Sequence, residues 1–316
     1  MCRVLEVTRA AFYKWLNRQP SATDQNQKQI VNEIKRIHAL PRYRDYGSPR
    51  MHSELLAHGV ACSLNTVAKL MRHAGVRARN APKFRVNTTN SQHDLPIAPN
   101  RLNQQFTASQ PNSVWLSDFT YIPTQEGFTY LCAVQDLCSR RIVGWAVSRS
   151  IDSQLALAAL NQAIALRDPG AGLIVHSDRG SQYASLAFRR RLDQCQFLQS
   201  MSRKGNCYDN APMESFFKSF KVEEVYHARY ETHEQATRAA TDYIERFYNP
   251  KRRHSALGYE SPVLFEQCKL FEKKAPGDLP SSEPFVGRSP NLATDNGDKE
   301  ADRNTAFVGD FRESER

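Results

Sequence analysis

Three carboxylates have the type and spacing to do chemistry. Asp178 follows a short apolar run, residues 173–175, and stands two residues before Gly180; such a run between glycines reads as a buried strand. Glu214 follows with 35 residues between them. It opens a helix for which Asn210 is the expected N-cap and Pro212 a first-turn residue. Asp118 lies upstream, 59 residues separating it from Asp178. It is the odd residue on a strand face otherwise made of Val114, Leu116, Thr120 and Ile122, and a buried aspartate needs a partner or a metal. Carboxylate oxygens are the donors that hard cations such as Mg²⁺ take while keeping some water. Asp118, Asp178 and Glu214 are therefore a candidate metal-ligand set. At 100° per residue Lys218 and Lys221 lie close in angle to Glu214, while Met213, Phe216, Phe217 and Phe220 form a separate apolar strip. Alone, that pattern is an amphipathic helix with a salt-bridged edge; beside two aspartates it is a basic edge on an acidic site.

The elements that must position these groups follow from periodicity. Residues 114–122 alternate as a strand, and 128–134 and 141–147 read as two more. The turns between them are short, which forces antiparallel pairing. A Leu/Ala helix over 153–166 then leads to the strand before Asp178, a right-handed parallel crossover. A helix over 185–194, a fifth strand over 197–201 and the Glu214 helix complete the order. Three antiparallel strands followed by alternating helix and strand is the order of a ribonuclease-H-like α/β fold. If the first and fourth strands are neighbours, Asp118 and Asp178 lie side by side, and Glu214 reaches in from the covering helix.

The 316 residues are 40% hydrophobic and carry a net charge of +10, enough chain for two or three domains. A pI near 9.3 points to a polyanion, nucleic acid first. The seven cysteines include no C-x-x-C pair, which suggests reduced thiols in a cytosolic protein. No apolar run approaches a membrane span, and no signal-peptide pattern opens the chain.

The N-terminal third reads as helical. Thr8 is a possible N-cap for a short helix with Ala11, Phe12 and Trp15 at helical spacing, either a helix-turn-helix remnant or a plain amphipathic helix. Residues 17–27 read as a polar linker. Ile30, Ile34 and Ile37 mark one face of a helix over 27–39. Residues 50–58 form the next, with Met51, Leu55 and Leu56 inward and Gly59 beyond its end. Ser63 then caps a helix that buries Val67, Leu70, Met71 and Ala74 and shows Asn65, Lys69, Arg72 and His73 outward. That is a helix-turn-helix pattern, and amide and guanidinium groups on its second helix suit base edges and phosphates. Residues 87–111, rich in Asn, Gln, Ser, Thr and Pro, read as a linker.

The segments V-W-L-S-D-F-T-Y-I, H-S-D-R-G-S-Q-Y and S-M-S-R-K-G-N-C-Y-D-N-A-P-M-E-S-F-F-K-S-F-K resemble the integrase core of bacterial insertion-sequence transposases. The similarity is to the second-frame protein of the IS-three family. Y-N-P-K-R-R-H-S-A-L-G-Y-E-S-P, downstream, extends it, and it covers residues 1–268. The resemblance implies a D-D-E transposase in which Asp118, Asp178 and Glu214 hold two Mg²⁺ ions, with Mn²⁺ able to substitute. It implies that Lys221, seven residues after Glu214, acts near the DNA end. The DNA contacts expected are Asn65, Lys69, Arg72, Lys218, Lys251, Arg252 and Arg253. The expected partners are terminal inverted repeats, target DNA and further copies of this chain on DNA. An upstream-frame helix-turn-helix protein, fused or separate, is a further expected partner. The expected setting is the bacterial cytoplasm, at the nucleoid.

The expected organisation is a remnant and linker over 1–26, a helix-turn-helix domain over 27–86, a linker over 87–111, and the catalytic core with a C-terminal helical segment over 112–270. Residues 271–316 are expected to be disordered: from Pro276 onward nine acidic residues meet five basic ones, with few apolar side chains. A nuclease of the same fold would use the same carboxylates without needing a helix-turn-helix. A repressor with a dead core would not need all three.

Overall fold

The computed structural model describes residues 2, 7–17, 19–79, 93–204 and 207–274. Helix α1 (Arg9–Leu16) is capped by Thr8, whose side chain accepts from the Ala11 N–H, and buries none of its residues. Helix α2 (Ala22–Ala39) begins five residues before the expected start. Ser21 accepts from the Asp24 N–H while Asp24 accepts from the Ser21 N–H. This reciprocal capping box satisfies two end donors within the stretch read as a linker. Ile30, Ile34 and Ile37 are buried as expected.

Helices α3 (Ser48–Ala57) and α4 (Leu64–His73) follow. In α3 Met51 and Leu55 are buried, but Leu56 is 49% exposed and Glu54 takes the inward place. Ser63 caps α4 by accepting from the Thr66 N–H. Gly59 and Gly75 end the two helices at φ of +76° and +69°, the left-handed conformation that a Cβ disfavours.

A five-stranded sheet has the order β3-β2-β1-β4-β5. Strand β1 (Val114–Thr124), β2 (Gly127–Asp136) and β3 (Ile142–Ser148) are antiparallel. Helix α5 (Ser153–Arg167) crosses to β4 (Ile174–Ser177), which runs parallel to β1. Helices α6 (Ser181–Ala184) and α7 (Leu186–Gln194) lead to β5 (Leu198–Met201), parallel to β4. Then come α8 (Ala211–Glu223), α9 (His233–Asp242) with a π-helical continuation over Tyr243–Tyr248, and α10 (Pro262–Lys274). Residues 271–274 therefore end α10, within the expected tail; the rest of that tail, 275–316, lies outside the described residues, as do 80–86 of the expected helix-turn-helix domain and 87–92 of the expected linker.

Each sheet face has its own core. On one, Trp115, Phe119, Val134 and Val143 pack with Leu155, Ala159, Leu160 and Ala163 of α5. A Cβ on Gly144 would fall 2.3 Å from the Ala159 carbonyl oxygen, so the absence of a side chain there lets α5 lie directly on β3. On the other face, Leu116, Ile122, Leu131 and Ile142 pack with Met213, Phe216, Phe217 and Phe220 of α8 and with Tyr243–Tyr248. That core runs on without a break into Ile34, Met51, Leu55 and Val67 of the helical segment. Residues 93–111 lie as a strap on β5: the Arg101 N–H donates to Ser200 Oγ at 2.9 Å, and Leu102 is 5% exposed.

Charge closes the seam between helical segment and sheet. Arg42 pairs with Glu224 and Asp242. Arg50 donates to Glu223 at 3.3 Å. The centre of this web is Arg252, 2% exposed, whose Nε and Nη2 donate to Glu223 at 2.7 Å each while Nη2 also donates to Ser219 Oγ at 2.8 Å. The Tyr243 hydroxyl donates to the same Glu223 carboxylate at 2.7 Å. Removing one partner of such a buried pair leaves the other charge uncompensated. Glu223→Ala is expected to lower the unfolding free energy by about 3–5 kcal/mol, read by urea denaturation. A loss under about 1 kcal/mol, the range of an exposed pair, would show that Arg252 finds water instead.

Candidate active site

Strand pairing brings the two aspartates together. β1 pairs with β4 only over Val114↔Ile174, Trp115↔Val175 and Leu116↔His176. Carrying that register on by two residues sets Asp118 level with Asp178. Beyond Leu116 that edge of β1 has no strand beside it, so a notch opens where the pairing stops. Asp118 and Asp178 are both half-buried there.

Local bonds set both carboxylates. Asp118 Oδ1 accepts from the Phe119 N–H at 2.8 Å. Asp178 Oδ1 accepts from the Gly180 N–H at 2.9 Å. A Cβ on Gly180 would sit 3.0 Å from that oxygen and 2.6 Å from Gln182 Oε1; the glycine keeps the bond unobstructed.

Glu214 is exposed in the first turn of α8. Asn210 occupies the N-cap position, but its side chain makes no cap bond. Its Nδ2 donates instead to the Ser117 carbonyl at 3.3 Å. The expected cap is thus a tie from the start of α8 to β1, one residue before Asp118. The approach to α8 is braced by Asp209, fully buried, which accepts from Arg203, Asn100 and Gln104. The Arg203 guanidinium holds the Asp209 carboxyl well below the usual carboxylate range.

Asp118 feels the whole cluster. Burial raises its pKa well above the ordinary value; Asp178 and then Glu214 raise it further, while Phe119 N–H and Lys221 act against them. Among the described residues no three His, Cys, Asp or Glu side chains form a ready-made metal cage. Asp178 and Glu214 both lie within charge-repulsion range of Asp118. A carboxyl raised by acidic neighbours in this way is the donor chemistry that a hard divalent cation relieves. Lys221 is half-buried; burial lowers the pKa of its ammonium and Asp118 raises it.

The expected DNA-contacting residues divide. Asn65, Lys69 and Arg72 lie exposed along one side of α4, and Lys218 and Lys251 are exposed too. Arg252 and Arg253 turn to acidic partners within the fold. Arg252 is spent on Glu223, and Arg253 Nε donates to Glu54 Oε2 at 2.9 Å with 18% of its side chain exposed. A basic triplet gives no sign of which member turns inward; the acidic partners sit about 30 and 200 residues away in the chain. Sequence reasoning also missed Tyr121, whose ring lies against Lys221 across 100 residues of chain.

The fold and the notch define an integrase-type nucleic-acid enzyme, and comparison with known proteins agrees. The integrase core domain family matches residues 108–207 and, in a second part, 214–270; an HTH-like domain family matches 24–84. The chain is 43% identical over 267 residues to the insertion element IS600 31 kDa protein of Shigella sonnei, covering 84% of this chain and 97% of that one. It is 40% identical over 271 residues to the transposase InsF of insertion sequence IS3A of Escherichia coli, covering 85% and 94%. The chain belongs to the IS3-type family of insertion-sequence transposases, polynucleotidyl transferases acting in DNA transposition. No helix among the described residues is long and apolar enough to cross a membrane.

His176, on β4 just before the notch, is fully buried between the Ser200 and Ser202 hydroxyls at 2.8 and 3.3 Å. Burial pushes its pKa down from 6.5 to about 4, so the unfolded chain takes up the proton first. Its stabilising contribution is complete above pH 6.5 and is lost as pH falls toward 4. The melting temperature is expected to fall between pH 6.5 and 5, where most carboxylates stay ionised, and to fall less in His176→Gln. Equal slopes would show that the ring is protonated in place.

Proposed function

We propose that this transposase cuts and joins DNA at the notch, with Asp118, Asp178 and Glu214 holding two divalent cations. The donor set favours Mg²⁺, and Mn²⁺ can substitute. Such ions, when bound, polarise the scissile phosphate and lower the pKa of attacking water. The observation that carries this reading is the strand register that sets Asp118 level with Asp178, with Asn210 tying the start of the Glu214 helix to Ser117; the charges of Asp178 and Glu214 push the Asp118 carboxyl upward. Hydrolysis leaves a 3′-hydroxyl at the element end; in line, that hydroxyl attacks a phosphodiester of a second strand, forming a new P–O bond as the second strand's bridging 3′-oxygen departs as a 3′-hydroxyl. No protein–DNA bond forms, so no serine or tyrosine nucleophile is required.

The chain's cations do the binding. Lys221 meets the phosphate at the DNA end beside the carboxylates, and Lys218 and Lys251 contact the flanking backbone. Residues 27–86 bind the terminal inverted repeats, Asn65, Lys69 and Arg72 lying in the major groove. Residues 112–270 supply the chemistry, and copies of the chain pair the two ends and engage target DNA. The reading includes an upstream-frame helix-turn-helix protein as fusion or partner and a setting in the bacterial cytoplasm at the nucleoid; the family resemblance is what supports both.

Asp118→Asn, Asp178→Asn and Glu214→Gln are each expected to abolish Mg²⁺-dependent cleavage of a terminal-repeat duplex with DNA binding nearly intact. Full cleavage by any one of them would remove that residue from the site. Lys69→Ala with Arg72→Ala is expected to weaken binding and to reduce the slope of log affinity against log salt by about two. An unchanged slope would move the DNA face off α4.

A further inference from the structure

Lys221 does not hang free in the notch; it sits on a ring. Its Nζ lies 3.8 Å from the centroid of Tyr121. Tyr121 is 4% exposed and three residues past Asp118 on β1. Phe128 meets it nearly edge-on, the centroids 5.3 Å apart and the planes at 80°. The two elements that bring Asp118 and Glu214 together therefore meet a second time, through a cation on an aromatic face. The ring lies where β1 has run past the end of β4, so no neighbouring strand fills the space the ammonium occupies.

Two physical points give this contact a task. A lysine side chain has four rotatable bonds, and one facing a polyanion from open solvent would have to give up that freedom on contact. An aromatic face attracts an ammonium through its quadrupole, most strongly where water is excluded. Lys221 is half-buried, so the attraction acts where the charge is least hydrated. The Tyr121 hydroxyl contributes nothing visible: it is buried with no hydrogen-bond partner among the described residues.

We propose that Tyr121 is a positioning residue for strand cleavage, its ring face seating the Lys221 ammonium beside the carboxylates so that it meets the DNA phosphate already aimed. This rests on the reading of Lys221 as the cation at the DNA end. The ring is the working part, and the hydroxyl is dispensable, since losing an unsatisfied buried hydroxyl costs little or nothing.

The test uses the full chain, Mg²⁺ and a duplex oligonucleotide carrying the terminal repeat. The rate per active site and the KM for DNA are measured alongside the melting temperature. Tyr121→Phe is expected to cleave within about twofold of the wild type. Tyr121→Leu, which keeps an apolar side chain and loses the quadrupole, is expected to lose about tenfold in kcat with KM little changed. In a Lys221→Gln background the same leucine is expected to cost nothing more, because paired residues are non-additive. A purely structural role would lower the active fraction and the melting temperature without that non-additivity, and would overturn the proposal. Tyr121→Met gives the same comparison should the leucine variant fold poorly. A full rate for Tyr121→Leu with an impaired Lys221→Gln overturns the seat alone. A full rate for Lys221→Gln overturns the assignment of Lys221, and the seat with it.

Discussion

The short parallel pairing of β1 with β4 is the constraint on which the site depends. Three residue pairs join the strands. Were the pairing longer, the edge of β1 beside Asp118 would be covered by backbone. Were it shifted by one residue, Asp118 would move to the opposite face. The crossover through α5 fixes the hand of the connection, and Gly144 lets that helix lie against β3. His176 and the Ser200 and Ser202 hydroxyls close the far side of β4. All of this holds a strand of four residues in one register.

Helix α8 answers to both of its ends. At its start Glu214 acts by charge on Asp118, and Asn210 ties the backbone to Ser117. At its far end Glu223 is gripped by Arg252, Arg50 and Tyr243, with Met213, Phe216 and Phe220 buried along the side between. The helix can neither slide nor roll without breaking a buried ionic contact or exposing aromatic surface. Because Arg50 belongs to α3, the helical segment takes part in holding α8. Arg42, Arg50 and Arg253 are consumed at that seam, whereas Lys69 and Arg72 of α4 face outward.

Much of the fold was legible because its signals are local. Alternation in β1, the apolar spacing of α2, α4 and α8, Ser63 as a cap and the glycines after α3 and α4 are short-range facts, and the structure matches them. The start of α2 is legible too: Ser21-x-x-Asp24 is a capping pattern, masked by Pro20 and the polar run around it, which are equally the composition of a linker. Leu56 and Glu54 exchanged places for a reason outside α3, since Arg253 brings Glu54 a partner at 2.9 Å and makes its burial tolerable.

By itself the sequence determined which residue types are offered to such chemistry: one aspartate within a strand and one just past another, a glutamate in a first helical turn and lysines on the same edge. These follow from period and chain order, which operate over a few residues. Only the tertiary structure decided which charges remain available. Arg252 and Lys251 are neighbours in the chain, yet one is buried on Glu223 and the other meets solvent. Tyr121 and Lys221 share no sequence signal and meet because β1 and α8 cross. Whether a charge is spent inside or offered outside depends on desolvation and on partners distant in the chain, and neither is written in local order.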